Sequence, residues 1–143
     1  MTTESMLWLN EERAANSKDP DDYKIFCFNG EPKALFVATD RSESDTKFDF
    51  FDIGFNHLPV ENGHPRANST PKKPSKYNEM IEMSKVLSKN IPQVRVDFYE
   101  VDGSVYFGEM TFFHWSGLTP FEPAEYDLMF GEWIELPALG GNF

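Results

Sequence analysis

Two alternating runs separated by a glycine turn dominate the hydrophobic pattern: Val94-Arg95-Val96-Asp97-Phe98-Tyr99, then Asp102-Gly103, then Val105-Tyr106-Phe107-Gly108-Glu109-Met110-Thr111. Period-two alternation around such a turn predicts a β-hairpin. Its register decides which side chains share a face. A two-residue Asp102-Gly103 loop pairs Val101 with Ser104 and, through a regular ladder, sets Asp97 and Glu109 on opposite faces. A three-residue loop, Val101-Asp102-Gly103, with left-handed Gly103 in a G1 bulge, instead pairs Glu100 with Ser104 and Arg95 with Glu109. Val94, Val96, Phe98, Tyr106 and Met110 then share one face with Gly108, and Arg95, Asp97, Phe107, Glu109 and Thr111 share the other. Because a slip of one residue turns a strand's whole apolar set toward water, the second register is the expectation.

The same pattern predicts the neighbouring elements. Tyr23 to Phe28, the punctuation Asn29-Gly30 and Glu31-Pro32, and Lys33 to Thr39 read as a second hairpin, with Thr46 to Ile53 a third extended run beside it. Asp52 to Pro74 carries turn residues and little periodicity, so it reads as a long loop. Ser75 to Asn90 reads as a helix, with Ser75 as cap, Pro92 as stop, and an apolar stripe of Tyr77, Met80, Ile81, Leu87 and Ile91. Tyr126 to Phe130 suggests a helical turn, and Trp133 to Leu136 a last strand. The fold expected is α+β: a mainly antiparallel sheet with the 75–90 helix packed on the face of Val94, Val96 and Phe98. Fourteen phenylalanines need a deep interior, and their place in the strand segments agrees with a covered sheet.

Composition narrows the classes. At 143 residues the chain reads as one domain. Thirteen basic residues against twenty-four acidic ones give a formal charge of −11, which opposes binding to nucleic acid or anionic lipid. No apolar run approaches a membrane span and no signal peptide opens the chain, so the expectation is a cytoplasmic protein. Cys27 stands alone and suits a buried strand position, without a disulfide framework. His57 and His64 have no Cys or carboxylate at ligand spacing and read as surface residues. No G-x-G-rich turn or Walker pattern occurs.

The polar hairpin face carries specific chemistry. Asp97 and Glu109 on adjacent strands repel unless a cation lies between them, and rigid oxygen ligands suit Mg²⁺ or Mn²⁺. Arg95 beside them keeps its charge and presents a planar fork to phosphate oxygens. Arg-x-Asp, a hairpin, Glu-x-Thr and the loop Trp115-Ser116-Gly117 resemble the C-terminal metal site of ATP-grasp ligases. Further blocks resemble the TupA-like branch, named for teichuronopeptide biosynthesis: Tyr23-Lys24-Ile25-Phe26-Cys27-Phe28-Asn29-Gly30-Glu31-Pro32-Lys33, Asp40-Arg41, Glu79-Met80-Ile81, and the two hairpin strands. They span roughly Asp21 to Leu136 in the family's order.

The resemblance implies ligation of a carboxylate to an amine through an acyl phosphate, with ATP and Mg²⁺ (or Mn²⁺) as cofactors, in the synthesis of a cell-surface polymer. Asp97, Glu109 and Thr111 would serve the metal, with Thr111 standing where ATP-grasp enzymes at large have Asn and so a poorer direct ligand. Arg95 would stabilise developing phosphoryl or oxyanion charge, and Ser116 with the Gly117 backbone would hold the acyl group or acceptor. Lys24 and Arg41 can reach ATP phosphates or an acceptor carboxylate, or stand as solvated strand charges. On this reading residues 1–20 are a poorly determined segment, with Met6 to Arg13 a weak match to the adenine-binding strand and hinge. Residues 21–143 are the C-terminal half of an ATP-grasp domain, completed by an upstream segment or a separate chain. Two other readings compete: a non-catalytic remnant whose polar face is a satisfied Arg-carboxylate cluster, and a glycosyltransferase-associated capsule-assembly protein.

Overall fold

A computed structural model describes residues 20–39, 46–112 and 121–134. The expectations for Met6 to Arg13, Arg41, Ser116 and Gly117 lie outside these residues. Six strands, β1 (Asp22–Phe28), β2 (Glu31–Thr39), β3 (Lys47–Asp52), β4 (His57–Leu58), β5 (Val94–Val101) and β6 (Ser104–Thr111), form one sheet in the order β4-β3-β2-β1-β5-β6. Every neighbouring pair is antiparallel. The helices are α1 (Tyr77–Leu87) and α2 (Ala124–Glu132). The protein is thus an α+β domain, as expected.

The β1-β2 turn follows from its residues: Asn29 and Gly30 both take positive φ, 51° and 83°, as a two-residue type I′ turn requires. Asp102 and Gly103 do the same at the β5-β6 turn, with φ of 52° and 75°. That corrects the expected three-residue loop. Val101 pairs with Ser104, and the ladder runs regularly to Phe98 opposite Phe107. The extra residue enters further along, where Asp97 meets both Gly108 and Glu109, after which Val96 pairs with Met110 and Arg95 with Thr111 rather than Glu109. The bulge sits there because Gly108 leaves room: a Cβ on it would come 2.9 Å from the Tyr99 ring and 3.2 Å from the Asp97 carbonyl. Tyr106 and Phe107 accordingly exchange faces relative to the expectation. Phe107 packs toward α1 and Tyr106 pairs with Tyr99.

The α1 face of the sheet buries Tyr23, Ile25, Leu35, Val37, Val96 and Phe98 against Tyr77 and Met80. This is the face expected for the helix, and Arg95 and Asp97 are not beneath it. The helix is shorter than expected and is capped differently. Ser75 Oγ and the Lys76 N–H both donate to Glu100 Oε1, at 2.7 and 2.8 Å, so a carboxylate from the end of β5 fixes the helix entrance. At the other end Asn90 turns the chain with φ of 62°, before Pro92. The opposite face carries the phenylalanines: Phe26, Phe36, Phe48 and Phe50 pack with Phe130 of α2. Both faces therefore hold a helix, where the sequence pattern suggested one. Trp133 and Ile134 do not extend the sheet; Trp133 ends α2 and stacks on Phe130 with ring centroids 4.9 Å apart.

Candidate functional site

The phenylalanine face changes character toward β5 and β6. Directly opposed residues of antiparallel strands share a face, and the β1-β5 register opposes Asp22 to Tyr99, Lys24 to Asp97 and Phe26 to Arg95. The polar positions of three adjacent strands therefore meet: Asp22 and Lys24 from β1, Arg95 and Asp97 from β5, Glu109 and Thr111 from β6.

Asp97 is the centre, with 1% of its side chain exposed. Its Oδ1 accepts from Arg95 Nε at 2.9 Å, and its Oδ2 accepts from Lys24 Nζ at 2.7 Å and Arg95 Nη2 at 3.1 Å. Lys24 also bridges to the buried Asp22 at 2.8 Å. Burying a carboxylate is costly unless paired and hydrogen-bonded, and here Lys24 and Arg95 do both. Arg95 reaches further, donating from Nη2 to Thr111 Oγ1 at 3.2 Å and lying 3.7 Å from Glu109 Oε1. Its guanidinium carbon stands 5.6 Å from the centre of the Phe36 ring, so the cation also rests on an aromatic. Glu109 alone in the group is open, with 66% of its side chain exposed.

The structure thus brings together five of the residues singled out in the sequence: Lys24, Arg95, Asp97, Glu109 and Thr111. Arg41, Ser116 and Gly117 fall outside the described residues. Asp22 was missed. Its signal was weak but real, since it precedes Lys24 by two and so shares its face, but only the long-range β1-β5 pairing shows that the pair lies over Asp97. Lys24 is held between two carboxylates and is not a solvated strand charge.

The oxygen donors suit a divalent cation in kind. Asp97 Oδ2, Thr111 Oγ1 and Glu109 Oε1 converge on one position, which Arg95 Nη2 fills. Formally, three carboxylates (Asp22, Asp97, Glu109) face two cations (Lys24, Arg95) among these five side chains. The distances are those of hydrogen bonds and ion pairs, longer than a Mg–O bond of about 2.1 Å. No group of three His, Cys, Asp or Glu side chains among the described residues can hold a metal by itself. A metal here would need oxygens from a second molecule, the usual situation of Mg²⁺ on a polyphosphate.

The other face holds a different polar group. Asp49 is fully buried; its Oδ1 lies 2.9 Å from His57 Nε2 and its Oδ2 accepts from the Ala67 N–H at 3.0 Å. His57 is therefore paired to a buried carboxylate rather than a plain surface residue, and His64 packs edge-on against Phe48. Cys27 is buried as expected, and burial pushes its thiol up to about 11, against hydrogen bonds with Ser88 and Ser84.

The antiparallel sheet thus brings Arg-x-Asp of β5 and Glu-x-Thr of β6 to one face. The chain matches the TupA-like ATP-grasp family over residues 3–135, nearly its whole length, and belongs to that family. No curated protein and no solved structure matches it. No helix among the described residues is long and apolar enough to cross a membrane.

Proposed function

We infer that the chain forms the metal- and phosphate-facing wall of an ATP-dependent carboxylate-amine ligase that acts in the cytoplasm on a cell-surface polymer. The observation that supports this most is the gathering of Lys24, Arg95, Asp97, Glu109 and Thr111 on one sheet face, in a member of the TupA-like ATP-grasp family. In this reading a substrate carboxylate oxygen bonds to the γ-phosphorus of ATP as the bond to the bridging oxygen breaks and ADP leaves. An amine then attacks the acyl carbon, inorganic phosphate departs, and the amine nitrogen gives up a proton.

Asp97 and Glu109 would hold Mg²⁺ or Mn²⁺, with Thr111 acting through its hydroxyl or a water. The metal's contribution is to neutralise phosphate oxygens as charge shifts toward the leaving group. Arg95 supplies a fork for two oxygens of the transferring phosphoryl or the tetrahedral centre. Lys24 supplies a point charge beside it. Asp97 positions both cations. Ser116, the Gly117 backbone and Arg41 are assigned to the acyl group, acceptor and phosphates on the family resemblance alone.

The test is ADP release with Mg-ATP, a carboxylate and an amine. It is run on the chain alone and on the chain joined to an ATP-covering domain of a larger family member. The second wall should be needed, because positioning two reactants together is worth roughly 7–11 kcal/mol. Glu109→Gln should abolish release while leaving the fold intact. The saturation of Asp97 by its own cations favours a second reading, a non-catalytic remnant. A folded, complemented protein that is inactive throughout would favour it, whereas ADP release indifferent to Glu109→Gln would show that the hairpin face is not where the chemistry happens.

A further inference from the structure

The segment after β3 reaches both faces of the sheet. On the α1 face, Asp49 Oδ2 accepts the Ala67 N–H at 3.0 Å and Oδ1 lies 2.9 Å from His57 Nε2. On the other face Val60 is fully buried among the phenylalanines. Next to it Glu61 and Glu122 exchange two backbone hydrogen bonds, both of 2.8 Å, in an antiparallel bridge. Residues 57–67 thus form a strap that runs from Asp49 to the stretch leading into α2. That helix is lightly held. Phe130 is its one buried residue, and Phe121 ahead of it rests edge-on against Phe26 and Phe50, with centroids 5.9 and 5.8 Å apart.

The bridge itself contains a conflict. Residues that exchange both backbone bonds in an antiparallel pair stand directly opposite with their side chains on one face, so two glutamates are set side by side. Like charges in that relation weaken the pairing. Arg66 Nε, 3.8 Å from Glu61 Oε1, offsets part of this, while Asp127, whose Oδ1 accepts the Phe121 N–H at 3.1 Å, adds a negative charge close by. We propose that the Glu61-Glu122 bridge is a charge-weakened latch: residues 121–134 are a cover that opens by parting this bridge, and Asp49 holds the cover closed from the opposite face through the strap. The cover borders the polar group, since Phe26, beneath Phe121, is directly opposed to Arg95. Lifting it bares the aromatic floor on which Arg95 rests. This device is independent of the ligase reading.

The experiment is amide hydrogen exchange read residue by residue by NMR, on the full chain as wild type, Glu122→Gln, Glu122→Lys and Asp49→Ala. Glu122 is exposed, so its replacements leave the core untouched. The Glu61, Glu122 and Phe130 amides report the latch and the cover, and Ile25, fully buried in mid-sheet, reports global unfolding. Glu122→Gln should slow exchange at the first three about two- to fivefold, the range that relief of a like-charge cross-strand pair is worth. Glu122→Lys should slow it further, and Ile25 should move less than either. Asp49→Ala should speed exchange at Phe130 more than at Ile25. Exchange at the bridge that is equal or faster in both Glu122 variants overturns the latch. A Phe130 amide that only follows Ile25 in Asp49→Ala overturns the hold from the opposite face. Should Asp49→Ala fail to fold, His57→Gln takes its place in the same comparison, because it removes a partly exposed partner and leaves the Ala67 bond.

Discussion

Asp49 and Asp97 are both buried carboxylates in one sheet, on opposite faces, yet their partners differ in kind. Asp49 takes His57 and the Ala67 amide, both from the long segment after β3. Its carboxylate fastens that segment to the sheet. Asp97 takes Lys24 and Arg95, which the strand ladder already fixes beside it. Among the described residues, no loop hangs on that carboxylate. A buried acid that ties down a loop is explained by folding alone. One that collects an arginine from its own strand and a lysine from the next, beside an open carboxylate, ties down no loop among the described residues.

The comparison breaks most visibly at Asp97 itself. Asp97→Ala leaves two nearly buried cations facing one another, and removing one partner of a buried pair costs about 3–5 kcal/mol. Lys24 keeps Asp22 and Arg95 keeps Glu109, so the lower end is expected in urea denaturation. A loss under about 1 kcal/mol would mean that water reaches the cluster freely. Asp49→Ala comes next, at about 1–3 kcal/mol for a half-buried Ala67 amide and a partly exposed His57 imidazole left without their acceptor. Its signature should be local. Hydrogen exchange should rise across residues 53–74 before the rest of the sheet, whereas Asp97→Ala should loosen β1, β5 and β6 together.

Of comparable size is Gly108→Ala, which tests why the site was only partly legible in the sequence. Sorting side chains by chemistry correctly required one extra residue in the β5-β6 ladder, without which Asp97 and Glu109 part company. It could not say where that residue sits. The turn was the natural choice, yet Asp102 and Gly103 make a two-residue turn and the bulge lies at Gly108, where the Tyr99 ring fills the space a side chain would need. Either placement puts Arg95, Asp97, Glu109 and Thr111 together, so the cluster was legible while the partners of Tyr106, Phe107 and Arg95 were not. The Lys24-Asp97 pair joins residues 73 positions apart, and nothing local encodes that. Likewise the cap on α1 was sought in Ser75 but comes from Glu100 across the fold. Gly108→Ala should cost about 1–3 kcal/mol by overpacking. Gly103→Ala, with open space around it, should cost about 1 kcal/mol from its backbone alone. The reverse order would move the bulge back to the turn.

Smaller still is the response to alkali, which probes the α1 face. Burial raises Tyr77 to about 12, helped by the Asp52 charge, and raises Cys27 to about 11; burial also raises Tyr23. Each is an acid whose folded value exceeds its unfolded one, so above the unfolded value the unfolded state binds fewer protons. Stability then falls as pH rises. The loss should begin near pH 9, where Cys27 first titrates unfolded, and continue through pH 12. Thermal melts in Tyr77→Phe should show a shallower decline above pH 10, from a lower plateau because the 2.6 Å bond to the Ile53 carbonyl is gone.

The smallest expected effect on stability sharpens the comparison furthest. Glu109 is mostly exposed and stands 3.7 Å from Arg95, so its pairing is that of a solvated ion pair. Such pairs contribute about 0.2–1 kcal/mol, and Glu109→Gln, which keeps shape and part of the polarity, should change unfolding free energy by no more than about 0.5 kcal/mol. Arg95 loses little, since its fork to Asp97 is untouched. The same substitution removes the one carboxylate in the group that has room for a second molecule's ion, so it should weaken Mn²⁺ binding without moving the melting temperature of the metal-free protein. Asp97 cannot separate these effects, because it is both anchor and candidate ligand. If Glu109→Gln instead costs more than 1 kcal/mol and leaves metal affinity unchanged, Glu109 is a structural partner of Arg95, and the whole face becomes a second version of the Asp49 arrangement.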